Sequence, residues 1–88
     1  MIALRLTVHG RVQGVFYRDW TVMNARRLGL GGWVRNRPDG TVEALVQGEE
    51  GAVRRMVEHM RQGPPAARVE RIEQQQCALE ELEGFTRR

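Results

Sequence analysis

The chain contains no lysine; all 14 of its basic residues are arginine. A phosphate loop of the Gly-Lys-Ser/Thr kind is therefore excluded. There is one cysteine, Cys77, so no internal disulfide can form and a stapled secreted scaffold is ruled out. No apolar run approaches the ~20 residues that a membrane-spanning helix requires. The two histidines, His9 and His59, stand at no metal-ligand spacing with each other or with Cys77, which argues against a metal centre. Arg5 falls inside the only candidate leader core, so no signal peptide and a cytoplasmic location are expected. Linkers, repeats and low-complexity tracts are missing too, and Gln74-Gln75-Gln76 is too short to count as one.

What is present fits one globular domain of 88 residues. The hydrophobic share of 41% and the charged share of 28% are ordinary, and too apolar for a disordered chain. A chain of this length builds one core. The formal net charge of +3 is weak support for a nucleic-acid partner and modest support for a small anion. An arginine stays charged in practice and presents a planar fork matched to phosphate and carboxylate.

Ile2, Leu4, Leu6 and Val8 alternate with Ala3, Arg5, Thr7 and His9, a period of two that predicts a strand with one buried face. Tyr17, Thr21, Ala25 and Leu28 then recur along one face of a helix, closed by Gly29. Trp33 and Val34 lead into Asn36-Arg37-Pro38-Asp39-Gly40, and Val42, Ala44 and Val46 alternate after it. Pro presets φ and Gly completes the reversal, so this is a β-hairpin. Val53, Met56, Val57 and Met60 mark a second helix, with Glu49 and Glu50 at its N-terminus and Gly63-Pro64-Pro65 at its end. Residues 67–73 read as a strand with a bulge, although Val69, Ile72, Leu79 and Leu82 also tolerate a helix. A short strand near Phe85 finishes the chain. The expected fold is α+β, a ferredoxin-like βαββαβ sandwich: an antiparallel sheet of four or five strands with two helices on one face.

The chemistry is expected between Gly10 and Arg18. A glycine-punctuated turn between a strand and a helix lets consecutive main-chain N–H groups converge on an oxyanion at the helix N-terminus. Gly10 and Gly14 allow close approach and positive φ. Arg18, early in the helix, can reach back to a pair of phosphate oxygens, a charge-assisted contact of about 1.5–3 kcal/mol. By spacing alone, Gly-x-x-x-Gly is a weak signal and reads first as a tight βα turn with an exposed arginine.

The run Val8-His9-Gly10-Arg11-Val12-Gln13-Gly14-Val15-Phe16-Tyr17-Arg18 closely resembles the signature of the acylphosphatase family. Gly32-Trp33-Val34-Arg35-Asn36, then Asp39-Gly40-Thr41-Val42 and Gly48, resemble that family's second signature. Leu28-Gly29-Leu30 and Gly63-Pro64-Pro65 with Val69 are similar as well, so the likeness runs from Leu4 to about Ile72. It implies one acylphosphatase-like domain over residues 1–88 that hydrolyses the carboxyl–phosphate bond of acyl phosphates without metal or cofactor. It also implies a small-molecule substrate, no nucleic-acid or membrane partner, and a monomer. The family's phosphate loop falls on Arg11, Val12, Gln13, Gly14 and Val15, its essential arginine on Arg18 and its essential asparagine on Asn36.

An acyl phosphate is already activated by its carboxylate leaving group, which suits a motif lacking His, Asp and Glu. Positioning and charge stabilisation remain to be supplied. Outside the motif, plainer roles are expected. Met23, Met56 and Met60 pack helix faces, Trp20 and Trp33 pack, Cys77 is structural, and Arg35 and Arg37, on the opposite face from Asn36, are solvated or loosely attract anions. An RNA-binding module of this topology would need aromatics on its central strands, and residues 4–9 and 41–47 hold none. A non-catalytic anion-sensing domain is the other alternative. Two departures from the family stand out. Tyr17 adds a hydroxyl where Phe or Met is usual, and Phe85-Thr86-Arg87-Arg88 lacks the second apolar residue of the family's last strand.

Overall fold

The computed structural model describes residues 1–88. The elements run β1 (Ile2–Arg11), α1 (Tyr17–Arg27), β2 (Gly31–Asn36), β3 (Val42–Gly48), α2 (Glu50–Gln62), β4 (Arg68–Cys77) and β5 (Phe85–Arg87). The five strands form one sheet in the order β4-β1-β3-β2-β5. β1 and β2 both pair antiparallel with β3, so β1 and β2 run the same way.

Alternation decides the two faces of the sheet. Leu4, Leu6, Val8, Val34, Val42, Ala44, Val46 and Phe85 turn to one side. There they join Tyr17, Val22 and Ala25 of α1 and Val53, Met56, Val57 and Met60 of α2 in one core. α1 ends in a Schellman motif, with Leu30 N–H on the Ala25 carbonyl and Gly29 N–H on that of Arg26. α2 starts on Glu49, whose carboxylate accepts from the N–H groups of Gly51 and Ala52.

The opposite face carries a second cluster, Ala3, Trp33 and Leu45, with Cys77 and Leu82 packed against it. Alternation alone would leave this face to solvent. Residues 78–84 cross it instead, tied by a reciprocal pair in which Gln47 donates to the Glu80 carbonyl and accepts from its N–H. Glu43 is buried there between Arg5 and Arg35, at 3.5 and 2.6 Å. Of the two roles expected for Arg35, solvated or loosely anion-attracting, the structure shows a half-exposed guanidinium held on a carboxylate, a closer ion pair than a loose attraction. Trp33 is buried and the Arg88 guanidinium lies 4.5 Å from its ring centroid, so its exposed side is covered by a cation.

Two further expectations are corrected. Met23 is an exposed residue of α1 and packs no core face. The sheet is mixed, because β5 pairs parallel with β2. The path of the chain explains this: β4 runs against β1 and ends at the end of the sheet where β2 begins. The crossing segment delivers β5 to the β2 edge from that same end, where Gly32 N–H bonds the Gly84 carbonyl at 3.0 Å. The bulge expected in residues 67–73 is present as a register shift opposite His9 and Gly10. Gly10, at φ 127°, is required there, since a Cβ would stand 2.1 Å from the Arg68 carbonyl oxygen.

Candidate active site

β1, β2 and β5 point the same way, so their C-terminal ends meet at one end of the sheet, where α1 begins. β1 leaves the sheet after Arg11 and turns through residues 12–16 into α1. Gly14 takes φ 74°, and Phe16 takes φ 69°, the only non-glycine residue with positive φ. For a bulky side chain this conformation costs about 1–3 kcal/mol and is found where a site holds it in place. Phe16 is also the N-cap of α1 and supplies no side-chain bond to the first-turn amides. Those N–H groups are left without a capping side chain at the positive end of the helix dipole, a setting suited to an anion.

A cleft of about 140 Å³ opens at this point. Val12 and Gly14 of the loop form one wall, and Phe16 and Tyr17 the start of the helix. Arg18 and Asn36 both face into it. Asn36 is the last residue of β2, two beyond Val34, and so turns to the same side of the sheet as the helices. Its Oδ1 is buried and has no hydrogen-bond partner within the protein. An orphaned buried acceptor costs about 1–3 kcal/mol, which singles out the atom for explanation.

Arg18 is partly buried, and its Nη1 donates to the main-chain oxygen of Arg88 at 2.9 Å. A guanidinium has five N–H donors in a fixed fork, so this anchor leaves most of them for a ligand. The remaining residues expected in the phosphate loop divide by role. Arg11 ends the β1 ladder opposite Arg68 and does not line the cleft. Val15 packs on the core. Gln13 turns its carboxamide away, donating to the carbonyls of Arg37 at 2.8 Å and Thr41 at 2.9 Å. The hairpin tip that follows Asn36 is thereby bound to the loop. Asp39 holds the tip itself by accepting from the main-chain N–H and the hydroxyl of Thr41. These bonds hold the Asp39 carboxyl below the usual carboxylate range.

The acylphosphatase family model matches residues 4–87. The chain belongs to the acylphosphatase family. An acylphosphatase of Acidovorax sp. (strain JS42) is 51% identical over 87 residues, covering 99% of this chain and 90% of its own. One from Rhodospirillum rubrum is 50% identical over 88 residues, covering 100% of this chain and 97% of its own. Among solved structures, the crystal structure of an acylphosphatase from Bacillus subtilis superposes with a TM-score of 0.95 at 40% identity. That match covers 98% of this chain and 97% of the other. Membership of the acylphosphatases makes this chain an enzyme of acyl phosphate hydrolysis, acting on a small-molecule acyl phosphate.

Sequence reasoning missed two residues of this acylphosphatase cleft, Asp19 and Arg87. Arg87 donates through Nη1 to both Asp19 oxygens, at 2.9 and 3.0 Å. The one available signal was the arginine at the place of an apolar residue in the last strand. The Tyr17 hydroxyl, the other departure, donates to the Met60 carbonyl at 2.7 Å. His9 pairs with Glu73 on β4, away from the cleft. No helix is long and apolar enough to cross a membrane.

Proposed function

We propose that Arg18 and the main-chain amides of the loop from Arg11 to Val15 hold the phosphoryl group of an acyl phosphate, and that Asn36 orients the attacking water. The observation that carries this reading is the buried, partnerless Oδ1 of Asn36 facing the same cleft as Arg18 and the uncapped start of α1. A carboxamide donates and accepts at once, so it can fix a water by two contacts. The water attacks phosphorus in line, the phosphorus–oxygen bond to the acyl group breaks, and the bonding pair leaves with the carboxylate. The water's proton passes to an oxygen of the substrate's own phosphoryl group. Arg18 and the amides stabilise negative charge as it redistributes over the phosphoryl oxygens. Gln13 serves this site from behind, by fixing the distance between the loop and the hairpin that carries Asn36. Residues 1–88 work as one domain, as a cytoplasmic monomer without metal or cofactor, and need neither nucleic acid nor membrane.

The test is phosphate release from acetyl or benzoyl phosphate in the presence of EDTA, and loss of activity on chelation refutes the metal-free reaction. Arg18→Ala is expected to lower kcat/KM by at least about 10²–10³-fold, the loss typical of one oxyanion donor, and to weaken phosphate inhibition. Arg18→Lys recovers little, because a point charge does not replace the fork. Asn36→Ala is expected to lose turnover while inorganic phosphate still competes. A near-full rate in that variant removes Asn36 from the mechanism.

A further inference from the structure

Two consecutive residues of α1 are joined to two consecutive residues at the end of the chain, in opposite senses. The Arg18 guanidinium donates to the Arg88 main-chain oxygen, and the Arg87 guanidinium donates to both oxygens of Asp19. The same tail is fixed to the sheet by Arg88 N–H on the Val34 carbonyl at 2.8 Å, two residues before Asn36. Arg26 holds the start of β5 through the Phe85 carbonyl at 3.2 Å. β5 is only three residues long and is an edge strand, so its own ladder fixes it weakly. Without the Asp19–Arg87 pair, nothing close to Arg18 on α1 would keep the Arg88 oxygen in place.

We propose that Asp19 and Arg87 are positioning residues that hold the Arg88 main-chain oxygen against Arg18 and so aim its guanidinium into the cleft. The proposal rests on the reading of Arg18 as the phosphoryl-binding side chain. An arginine is rich in rotamers, and one already anchored at Nη1 loses less freedom when it grips an anion. The pair is half-exposed on both sides, so its direct contribution to stability is small. Its value lies in aiming Arg18.

Charge alone makes the opposite prediction for one variant. Asp19 is a carboxylate on the wall of an anion site, and its removal should tighten anion binding by simple electrostatics. Aiming requires that removal to weaken it. Inorganic phosphate affinity of the full chain, measured by calorimetry, therefore decides between them. Asp19→Asn and Arg87→Gln are each expected to weaken phosphate binding about 5–10-fold. The exchanged variant Asp19→Arg/Arg87→Asp, which keeps both the pair and the net charge, is expected to return to within about threefold of the parent. Phosphate binding in Asp19→Asn that is unchanged or tighter overturns the proposal, as does an exchanged variant no better than the singles. Should an exchanged chain fail to fold by circular dichroism, Arg87→Lys serves in its place, expected to bind more tightly than Arg87→Gln and overturning the proposal if it does not. A parent chain that binds phosphate but releases none from acetyl phosphate removes the proposed function while leaving this series readable.

Discussion

Tyr17 shows how one atom can tie two helices together. Its ring is buried in the core, and its hydroxyl spans from the start of α1 to the carbonyl of Met60 near the end of α2. Burial raises the phenol pKa well above its ordinary value, so the group stays neutral and donates throughout the working range. Tyr17→Phe leaves the Met60 carbonyl without that donor, and a loss of about 1–2 kcal/mol is expected in urea unfolding, with acyl phosphate turnover retained. At this scale the sequence reveals residues whose chemistry is local to a motif. Arg18 and Asn36 are legible because each sits in a run that resembles a family signature, whereas spacing alone would read both runs as turns. Asp19 and Arg87 are not, because 68 positions separate them and only the folded chain pairs them. Glu43 escapes for a related reason: alternation places it outward, and the arginines that close over it, Arg5 and Arg35, come from the two strands that flank β3 in the folded sheet.

Elements are set by nearest neighbours along the chain, and most of them can be read directly. Val53, Met56, Val57 and Met60 are all buried in α2, as their spacing requires. The Glu49 cap of that helix carries a pH dependence of definite sign. Hydrogen bonds from the amides of Gly51 and Ala52 lower its pKa in the folded state. A carboxyl lowered on folding stabilises the fold above its unfolded pKa and gives that up as the pH falls through the folded value. Thermal melts taken from neutral pH into the acid range should therefore show a smaller loss for Glu49→Gln than for the parent chain. An equal loss in both would mean that the cap does not contribute to acid sensitivity. β4 is the least legible of the long elements. It is an edge strand with no fully buried residue, so the periodicity that a half-buried strand prints on its sequence is faint.

For the molecule as a whole, stability should be layered from the centre of the sheet outward. β3 is buried along its entire length, between β1 and β2, whereas β5 and the segment leading to it are mostly exposed. Hydrogen exchange should find the amides of β1 and β3 opening only with global unfolding, and those of β5 and residues 78–84 well before. Uniform protection would contradict this gradient. The parallel entry of β5 belongs to this scale as well. It follows from which end of the sheet the preceding segment reaches, a fact that no local pattern contains.

Gln13 bears on how portable this centre is. Both of its amide hydrogens are committed to carbonyls of a different supersecondary unit, so the anion loop has no finished shape by itself. Transplanted into a foreign strand–helix junction, the loop would lose its brace and with it the spacing to the asparagine. A designer borrowing this chemistry must carry the hairpin across along with the loop, and selection acting on either motif must accommodate the other.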